Sequence, residues 1–405
     1  MPLRSPAGFI SAFFDPLKNP DAPTSPVATA GDASASVAFT APANVGGSAI
    51  TEYQAVAFTG STYVSNTAGS SSPISVTGLT NGTAYSFNVW ALNSYGAGPW
   101  SATTNSVSPV ATRAINNAGD VGGGSYTYFS MGSPGSAGAF GSLLYDRSQF
   151  GGGVSSATRG VFAGGSGSGV SNMEYITILS TGNGTLFGSL SSSFFQFSGA
   201  SNSTRGIWFL ANQSFPTNLI EYITIATTGS STSFGDSMSQ NRGNGSGANS
   251  TRALCALGLI ESPFGQVNTV QYVTIATTGN ASTFGQLTVN SGYKVTGFSS
   301  STRVFFAGGG GSTGSGFNTI AYFTVATTGN ATYFGDLNNG LNAPASTSSS
   351  VYGYVMGGFG SSPYGIQSSI QYITMASSGN SSTWGQLTAA QYDNEALSSA
   401  HGGLS

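Results

Sequence analysis

Six times in this chain a tyrosine is followed twelve residues later by an aromatic–glycine pair, and no other feature limits the possible folds so strongly. The pairs are Tyr128/Phe140, Tyr175/Phe187, Tyr222/Phe234, Tyr272/Phe284, Tyr322/Phe334 and Tyr372/Trp384. Successive tyrosines lie 47, 47, 50, 50 and 50 residues apart. A period of that size holds several short strands, and one such unit cannot bury its own faces, so the units must pack on one another. Within a unit the pattern is that of a strand. Tyr272, Thr274 and Ala276 fall on one face, and Val273 and Ile275 on the other. Thr277-Thr278-Gly279-Asn280 then supplies a turn, because Gly and Asn tolerate positive φ.

A second mark precedes each tyrosine. Arg113, Arg159, Arg205, Arg252 and Arg303 recur 46, 46, 47 and 51 residues apart. Apolar runs follow the arginines, often ending in paired glycines, as at Gly164-Gly165, Gly308-Gly309 and Gly357-Gly358. The pairing is lost at Ile207–Ala211 and Leu254–Gly258. An apolar strand with Gly-Gly, then Tyr, then an aromatic resembles kelch repeats, which implies a six-bladed β-propeller over residues 111–405. Six Tyr units stand against seven segments of the Ser-Thr-Arg type, the seventh being Ala396–His401. The first, Ala111-Thr112-Arg113, lacks the Ser-rich strand that precedes the others. The C-terminal strand is expected to fill that gap and leave no open sheet edge.

Residues 21–110 carry short alternating strands between turn signals, as a β-sandwich requires. Val37 and Phe39 alternate inward, as do Tyr85, Phe87, Val89 and Ala91. Pro20–Pro23, Gly78–Tyr85 and Ala91–Ser101 resemble a fibronectin type III domain, with Tyr85 at the tyrosine-corner position. The chain departs from that family in the second strand, where Phe39 stands in place of the usual tryptophan. Residues 1–20 form an apolar arm with Phe9, Ile10, Phe13, Phe14 and Leu17, read as a docking peptide for a partner. The expected class is therefore all-β: an extended arm, a fibronectin type III-like sandwich and a six-bladed kelch-like propeller.

Charge and chemistry narrow the function. Only 6% of residues are charged, against 12% aromatic and 60 glycines, which describes a folded β protein with a neutral, hydroxyl-rich surface. Ten basic residues spread over 405 cannot make the cationic stripe a nucleic-acid binder needs. No apolar run is long enough for a membrane-spanning helix, and Met1–Leu17 lacks the form of a secretory signal. Cys255 stands alone, so no internal disulfide forms and folding in a reducing cytoplasm is expected.

No enzyme is expected. His401 is the single histidine, at or near the place held by Arg in earlier repeats, and it leaves no triad and no metal or cofactor set. Glu174 and Glu221 directly precede the repeated Tyr, and Asp236 and Asp336 follow the repeated Phe-Gly. Repeat-equivalent acids belong to blade architecture and do not converge on a glycosidase pocket. The five arginines are read as strand-end residues that meet backbone carbonyls or a neighbouring Tyr.

The repeat text at 268–287 and 318–337, the opening Gly8–Leu17 and the ending Ser399–Leu404 are similar to structural proteins of marine tailed phages, cyanophages especially. The resemblance implies a virion protein: a tail or head fibre, or an appendage, present in multiple copies. Its arm would dock on other virion subunits, and its propeller would present hydroxyls, amides and aromatics to host-surface glycans. A decoration or adaptor protein with no receptor role, and a glycan-degrading enzyme, are the other classes.

Overall fold

The computed structural model describes residues 17–117, 124–145, 147–148, 151–167, 171–211, 217–261, 264–288, 293–310 and 316–404. The protein is all-β. Among the described residues the only helical element is the 3-10 turn Gly402–Leu404. The chain divides into two units between Ala111 and Thr112.

The first unit holds β1 (Thr24–Gly31), β2 (Ser34–Thr40), β3 (Glu52–Thr59), β4 (Thr62–Gly69), β5 (Ile74–Thr77), β6 (Ser86–Asn93) and β7 (Gly96–Ala97). They form two antiparallel sheets, β1-β2-β5 and β4-β3-β6-β7. Period-two alternation selects the core: β6 buries Phe87, Val89 and Ala91, and β2 buries Ala35, Val37 and Phe39. These meet Ala55, Ala57, Ile74 and Val76 in one cluster. Phe39, where a tryptophan is usual, packs its ring 4.9 Å from that of Tyr53. The Tyr85 hydroxyl accepts from the Thr80 N–H at 3.0 Å and ties down the entry to β6. Asn93 donates to the Lys18 and Val45 carbonyls at 2.9 and 2.8 Å, so the chain is already pinned to the sandwich at residue 18.

The second unit contains six antiparallel sheets with a common four-strand order. In the fourth, the leading strand Gly245–Ala248 pairs with Arg252–Ala256, which pairs with Thr269–Thr274, which pairs with Ser282–Gln286. The second, third, fifth and sixth sheets begin with Gly152–Ser155, Ser198–Ser201, Val295–Ser299 and Ala345–Ser348. In the first sheet the leading strand is C-terminal: Ala396–Ser398 pairs with Arg113–Asn117, Leu397 opposite Ile115. The strand that the repeat text lacks at its start is thus supplied from its end.

Each core cluster of this unit is shared by consecutive sheets. Ile207 and Phe234 of the third sheet meet Cys255 and Ile275 of the fourth. Tyr354 and Trp384 of the sixth meet Ala114 and Phe129 of the first. The aromatic–glycine pair makes a second link. The Phe284 carbonyl accepts from the Gly329 N–H of the next sheet at 2.9 Å, and equivalent bonds run from Gly182 to Phe140, Gly229 to Phe187, Gly279 to Phe234 and Gly379 to Phe334. The sixth, from Gly135 to Trp384 at 3.1 Å, ties the last sheet to the first. The glycine after each aromatic is sterically required. A Cβ on Gly285 would lie 1.8 Å from the Gly329 oxygen, and one on Gly385 would lie 2.0 Å from the Gly135 oxygen.

Candidate functional site

The repeated residues assemble into one motif per sheet. Each tyrosine sits edge-to-face on its aromatic partner, with ring centroids 6.1 Å apart for Tyr128/Phe140, 6.2 for Tyr175/Phe187, 5.9 for Tyr222/Phe234, 5.6 for Tyr272/Phe284, 6.0 for Tyr322/Phe334 and 5.0 for Tyr372/Trp384. A guanidinium covers each of the first five tyrosines: Arg113, Arg159, Arg205, Arg252 and Arg303 lie 4.8, 4.6, 4.4, 5.1 and 4.6 Å from the ring centroids. Four of these arginines also donate to a carbonyl of the following sheet. Arg159 reaches Ala226, Arg205 reaches Ile275, Arg252 reaches Val325 and Arg303 reaches Met375. In the sixth sheet Tyr352 takes the arginine's place, against Tyr372 and Trp384.

The residue before four of the six repeated tyrosines receives the loop that leaves the preceding sheet. Glu174 accepts from the Leu144 N–H at 2.6 Å, Glu221 from the Ser191 N–H at 3.3 Å, Gln271 from Met238 at 2.8 Å and Gln371 from Asn338 at 2.8 Å. Glutamate and glutamine serve this place alike because it needs an acceptor, not a charge. Asn183, Asn280, Asn330 and Asn380 of the turns accept from backbone N–H groups of the preceding sheet in the same manner. These acids therefore sit on separate sheets in equivalent roles.

The six leading strands surround a cavity of about 110 Å³. At one end five equivalent residues adopt positive φ: Gln196 (60°), Gly243 (59°), Lys294 (54°), Ala343 (52°) and Asp393 (49°). This turns each N–H toward the preceding strand: Gly243 donates to Gln196, Lys294 to Gly243, Ala343 to Lys294 and Asp393 to Ala343, at 2.6 to 3.2 Å. The Lys294 ammonium and the Asp393 carboxylate meet at 2.7 Å. Glu395, two residues beyond Asp393 in the segment that leads into Ala396–Ser398, is partly buried with a 3.4 Å contact from the Gly153 N–H. Burial first, then the Asp393 charge, holds its carboxyl well above the usual range.

Toward the other end the cavity is bounded by serine hydroxyls that staple neighbouring strands. Ser201 donates to the Ser155 carbonyl, Ser299 to Ala248, Ser348 to Ser299, Ser398 to Ser348 and Ser155 to Ser398. His401 closes this end. Since Ser398 corresponds to Ser155, the arginine position falls on Gly402, and His401 instead turns inward. Its Nδ1 accepts from the Gly403 N–H at 3.2 Å, which leaves Nε2 to donate to the Ser155 carbonyl at 3.0 Å. Burial pulls its pKa down to about 4. Cys255 is buried, and burial pushes its thiol up to about 12, so no thiolate forms near neutrality.

Around the Lys294/Asp393 end, hairpins rise between the second and third strands of two sheets. Leu259–Glu261 with Phe264–Gln266 is one, and Phe359–Ser361 with Tyr364–Ile366 is the other. They spring from Gly258, packed on Gly243, and from Gly358, packed on Pro344. Phe264 is 69% exposed and Tyr364 is 83% exposed, at equivalent places in the two repeats. The sequence marks did not single these out, because each occurs in a variable segment outside the repeated text. The paired glycines are explained at the same end. Gly164-Gly165, Gly308-Gly309 and Gly357-Gly358 all adopt positive φ, between 64° and 103°. Of the arm, Phe9, Ile10, Phe13 and Phe14 lie outside the described residues, and Leu17 is 63% exposed.

In comparison with known proteins, the model of the fibronectin type III domain matches residues 21–107. No curated protein matches the chain. Among solved structures, domains A168–A170 of titin are similar, at 25% identity over 23% of this chain and 32% of that one, with a TM-score of 0.22. The matched region thus spans about a third of the titin chain. With the family match lying on the two-sheet unit and its tyrosine corner, residues 21–107 are a fibronectin type III domain.

Proposed function

We propose that residues 112–405 form a six-bladed, kelch-like β-propeller closed by the C-terminal strand, and that the chain is a non-enzymatic virion appendage for host-surface recognition. Support for the ring comes from the links between consecutive sheets, above all those from the sixth back to the first. The virion reading rests on the resemblance of the repeat text and both termini to tailed-phage structural proteins. In this reading the arm with Phe9, Ile10, Phe13, Phe14 and Leu17 docks on other virion subunits. The propeller then offers its hairpin face to glycans, many copies supplying avidity.

The observation that carries recognition is the pair of exposed rings, Phe264 and Tyr364, at equivalent hairpins around one end of the cavity. Aromatic faces held out of the core are costly in water and suit the apolar faces of sugar rings. The non-enzymatic reading is supported by Glu174 and Glu221, which hold loop backbone on different sheets. The alternative of a decoration or adaptor protein draws on Leu186, Met238 and Tyr333, which are exposed in or just beyond outer strands.

Locating the chain on intact particles separates the two. A free hairpin face, together with loss of particle adsorption in a Phe264→Ser/Tyr364→Ser variant, is the expected result. A hairpin face covered by neighbouring subunits overturns the receptor reading in favour of the adaptor.

A further inference from the structure

The fibronectin type III domain carries a second aromatic surface, remote in sequence from the repeats. In β3 the inward residues are Tyr53, Ala55 and Ala57, so Glu52, Gln54, Val56 and Phe58 point to the other face. In β6 the same logic places Asn88 and Trp90 outward. The register then aligns Tyr63 of β4 with Phe58, Asn66 with Val56, and Trp90 with Gln54. Phe58 lies between two rings, 5.6 Å from Trp100 and 6.5 Å from Tyr63. Trp100 is 51% exposed and Tyr63 58% exposed. An antiparallel sheet that has buried one face in the core can leave the other solvated, so this display is not needed to complete the core.

Beside the rings runs a relay of amides. The Tyr63 hydroxyl donates to Asn66 Oδ1 at 2.9 Å, Asn66 Nδ2 to Gln54 Oε1 at 2.8 Å, and Gln54 Nε2 to Glu52 Oε1 at 2.5 Å. Asn88 Nδ2 is held by the Ser101 carbonyl at 2.9 Å and the Thr103 hydroxyl at 3.2 Å. Each relay amide uses one N–H and one lone pair within the relay. An amide group has two of each, so Asn66 and Gln54 keep further donors and acceptors in fixed directions. Fixing them beforehand removes part of the ordering cost of binding.

We infer that this outer face of β3, β4 and β6 is a binding platform for a neutral saccharide, separate from the propeller. The charge pattern selects that occupant. Glu52 is the only charged side chain in β3, β4 and β6, it stands at the end of the relay, and Gln54 already takes one of its oxygens. Nothing here would neutralise a sulfated or carboxylated sugar, a nucleic acid or an acidic peptide. A pyranose instead matches both halves of the surface. Its axial C–H face covers Trp100 and Tyr63, and its equatorial hydroxyls reach Asn66 and Gln54.

The test uses the whole chain and soluble neutral oligosaccharides, maltoheptaose, cellopentaose and laminaripentaose, followed by saturation-transfer NMR and by acrylamide quenching of tryptophan. Trp208 is fully buried and Trp384 nearly so, which leaves quenching weighted to Trp100 and the partly buried Trp90 of the same domain, so that the Trp100→Ala variant isolates the share of Trp100. At least one oligosaccharide is expected to protect Trp100. Trp100→Ala should weaken binding about tenfold or more, as the loss of an aromatic contact implies, and Asn66→Ala should weaken it less. The Phe264→Ser/Tyr364→Ser variant should leave this binding intact, so that failure of the propeller reading and failure of this one are distinguishable. Absence of protection by all three overturns the proposal. So does a Trp100→Ala variant that folds normally and changes only self-association in sedimentation, which would make a second copy the occupant.

Discussion

The two units of this chain build β-structure from similar residues but distribute cohesion differently. The fibronectin type III domain has one core, in which Val37, Val76, Phe87 and Val89 of two sheets interdigitate. Among its described residues the repeat unit has six smaller cores, each shared by consecutive sheets. A sandwich is thus stabilised across one interface, and the repeats across many that depend on one another. Close backbone approach recurs once per sheet in the repeats, while in the sandwich it is confined to Gly46 and Gly98, against residues 18–20. Gly60, Gly78 and Gly82 in the sandwich have open space where a Cβ would go, whereas Gly141, Gly188, Gly235, Gly285, Gly335 and Gly385 all abut the backbone of the next sheet.

The most severe way to break the contrast is to delete residues 393–405. This strips Arg113–Asn117 of one of its two partner strands and removes Asp393, Glu395 and His401 from the cavity. Calorimetry should show the repeat transition collapsing to lower temperature and losing cooperativity while the sandwich transition stays in place. A repeat transition that keeps its midpoint would mean that the C-terminal strand is dispensable.

Glycine replacements sharpen the point. Gly285→Ala sets a methyl against the Gly329 oxygen and should destabilise the repeat unit by about 3 kcal/mol or more. Gly60→Ala meets no neighbour and costs only its left-handed φ of 60°, about 1 kcal/mol. Denaturant midpoints of the two variants measure the difference directly, and equal losses would refute it.

A pH series tests the repeat unit alone, since His401 and Glu395 both belong to it. The folded pKa of His401 is lowered to about 4. Its contribution is therefore complete above the unfolded value near 6.5 and is lost as pH falls toward 4, by up to about 3 kcal/mol. Glu395 has the opposite sign. Its folded pKa is raised, so its contribution is greatest below about 4.5 and fades as pH rises. The two slopes oppose one another between pH 4.5 and 6.5. His401→Gln should leave the slope of Glu395, with stability rising as pH falls. Glu395→Gln should leave the slope of His401, with stability falling. A His401→Gln variant with the parent's pH profile would count against a neutral, buried imidazole.

The smallest effect is expected at the arginines. Arg159→Ala loses a partly exposed cation–π contact with Tyr175 and hydrogen bonds to Ile225 and Ala226, together about 1 kcal/mol. Arg159→Lys should recover only part of it, because a lysine lacks the planar face and the second donor group. Full recovery by lysine would reduce the arginine's role to charge.

Much of this was legible in the residues. The sandwich announced itself through alternation at Val37/Phe39 and Phe87/Val89/Ala91, because a strand with one face in the core must repeat every second residue. The tyrosine and aromatic–glycine spacing announced the repeated sheets, because every sheet meets its neighbour through the same few atoms. The seventh segment, Ala396–His401, pointed by simple count to the gap in the first sheet, where Ala396–Ser398 pairs with Arg113–Asn117. What spacing could not give was direction. His401 sits in a segment that resembles the Arg-bearing turns, yet it points into the cavity, because the chain leaves the sheet there and Gly402 and Gly403 pack against Ser300 and Ser201. The five positive-φ residues at the cavity end include Gln196, Lys294, Ala343 and Asp393, whose side chains do not advertise that conformation. Only strands brought side by side can hold them there. Likewise Tyr63 and Asn66 are unremarkable in sequence and come to lie beside Phe58 and Val56 only when pairing with β3 fixes their register. The sequence by itself determined which residues pair and repeat, since those depend on local period. The tertiary structure decided which of them meet, since that depends on contacts between segments tens to hundreds of residues apart.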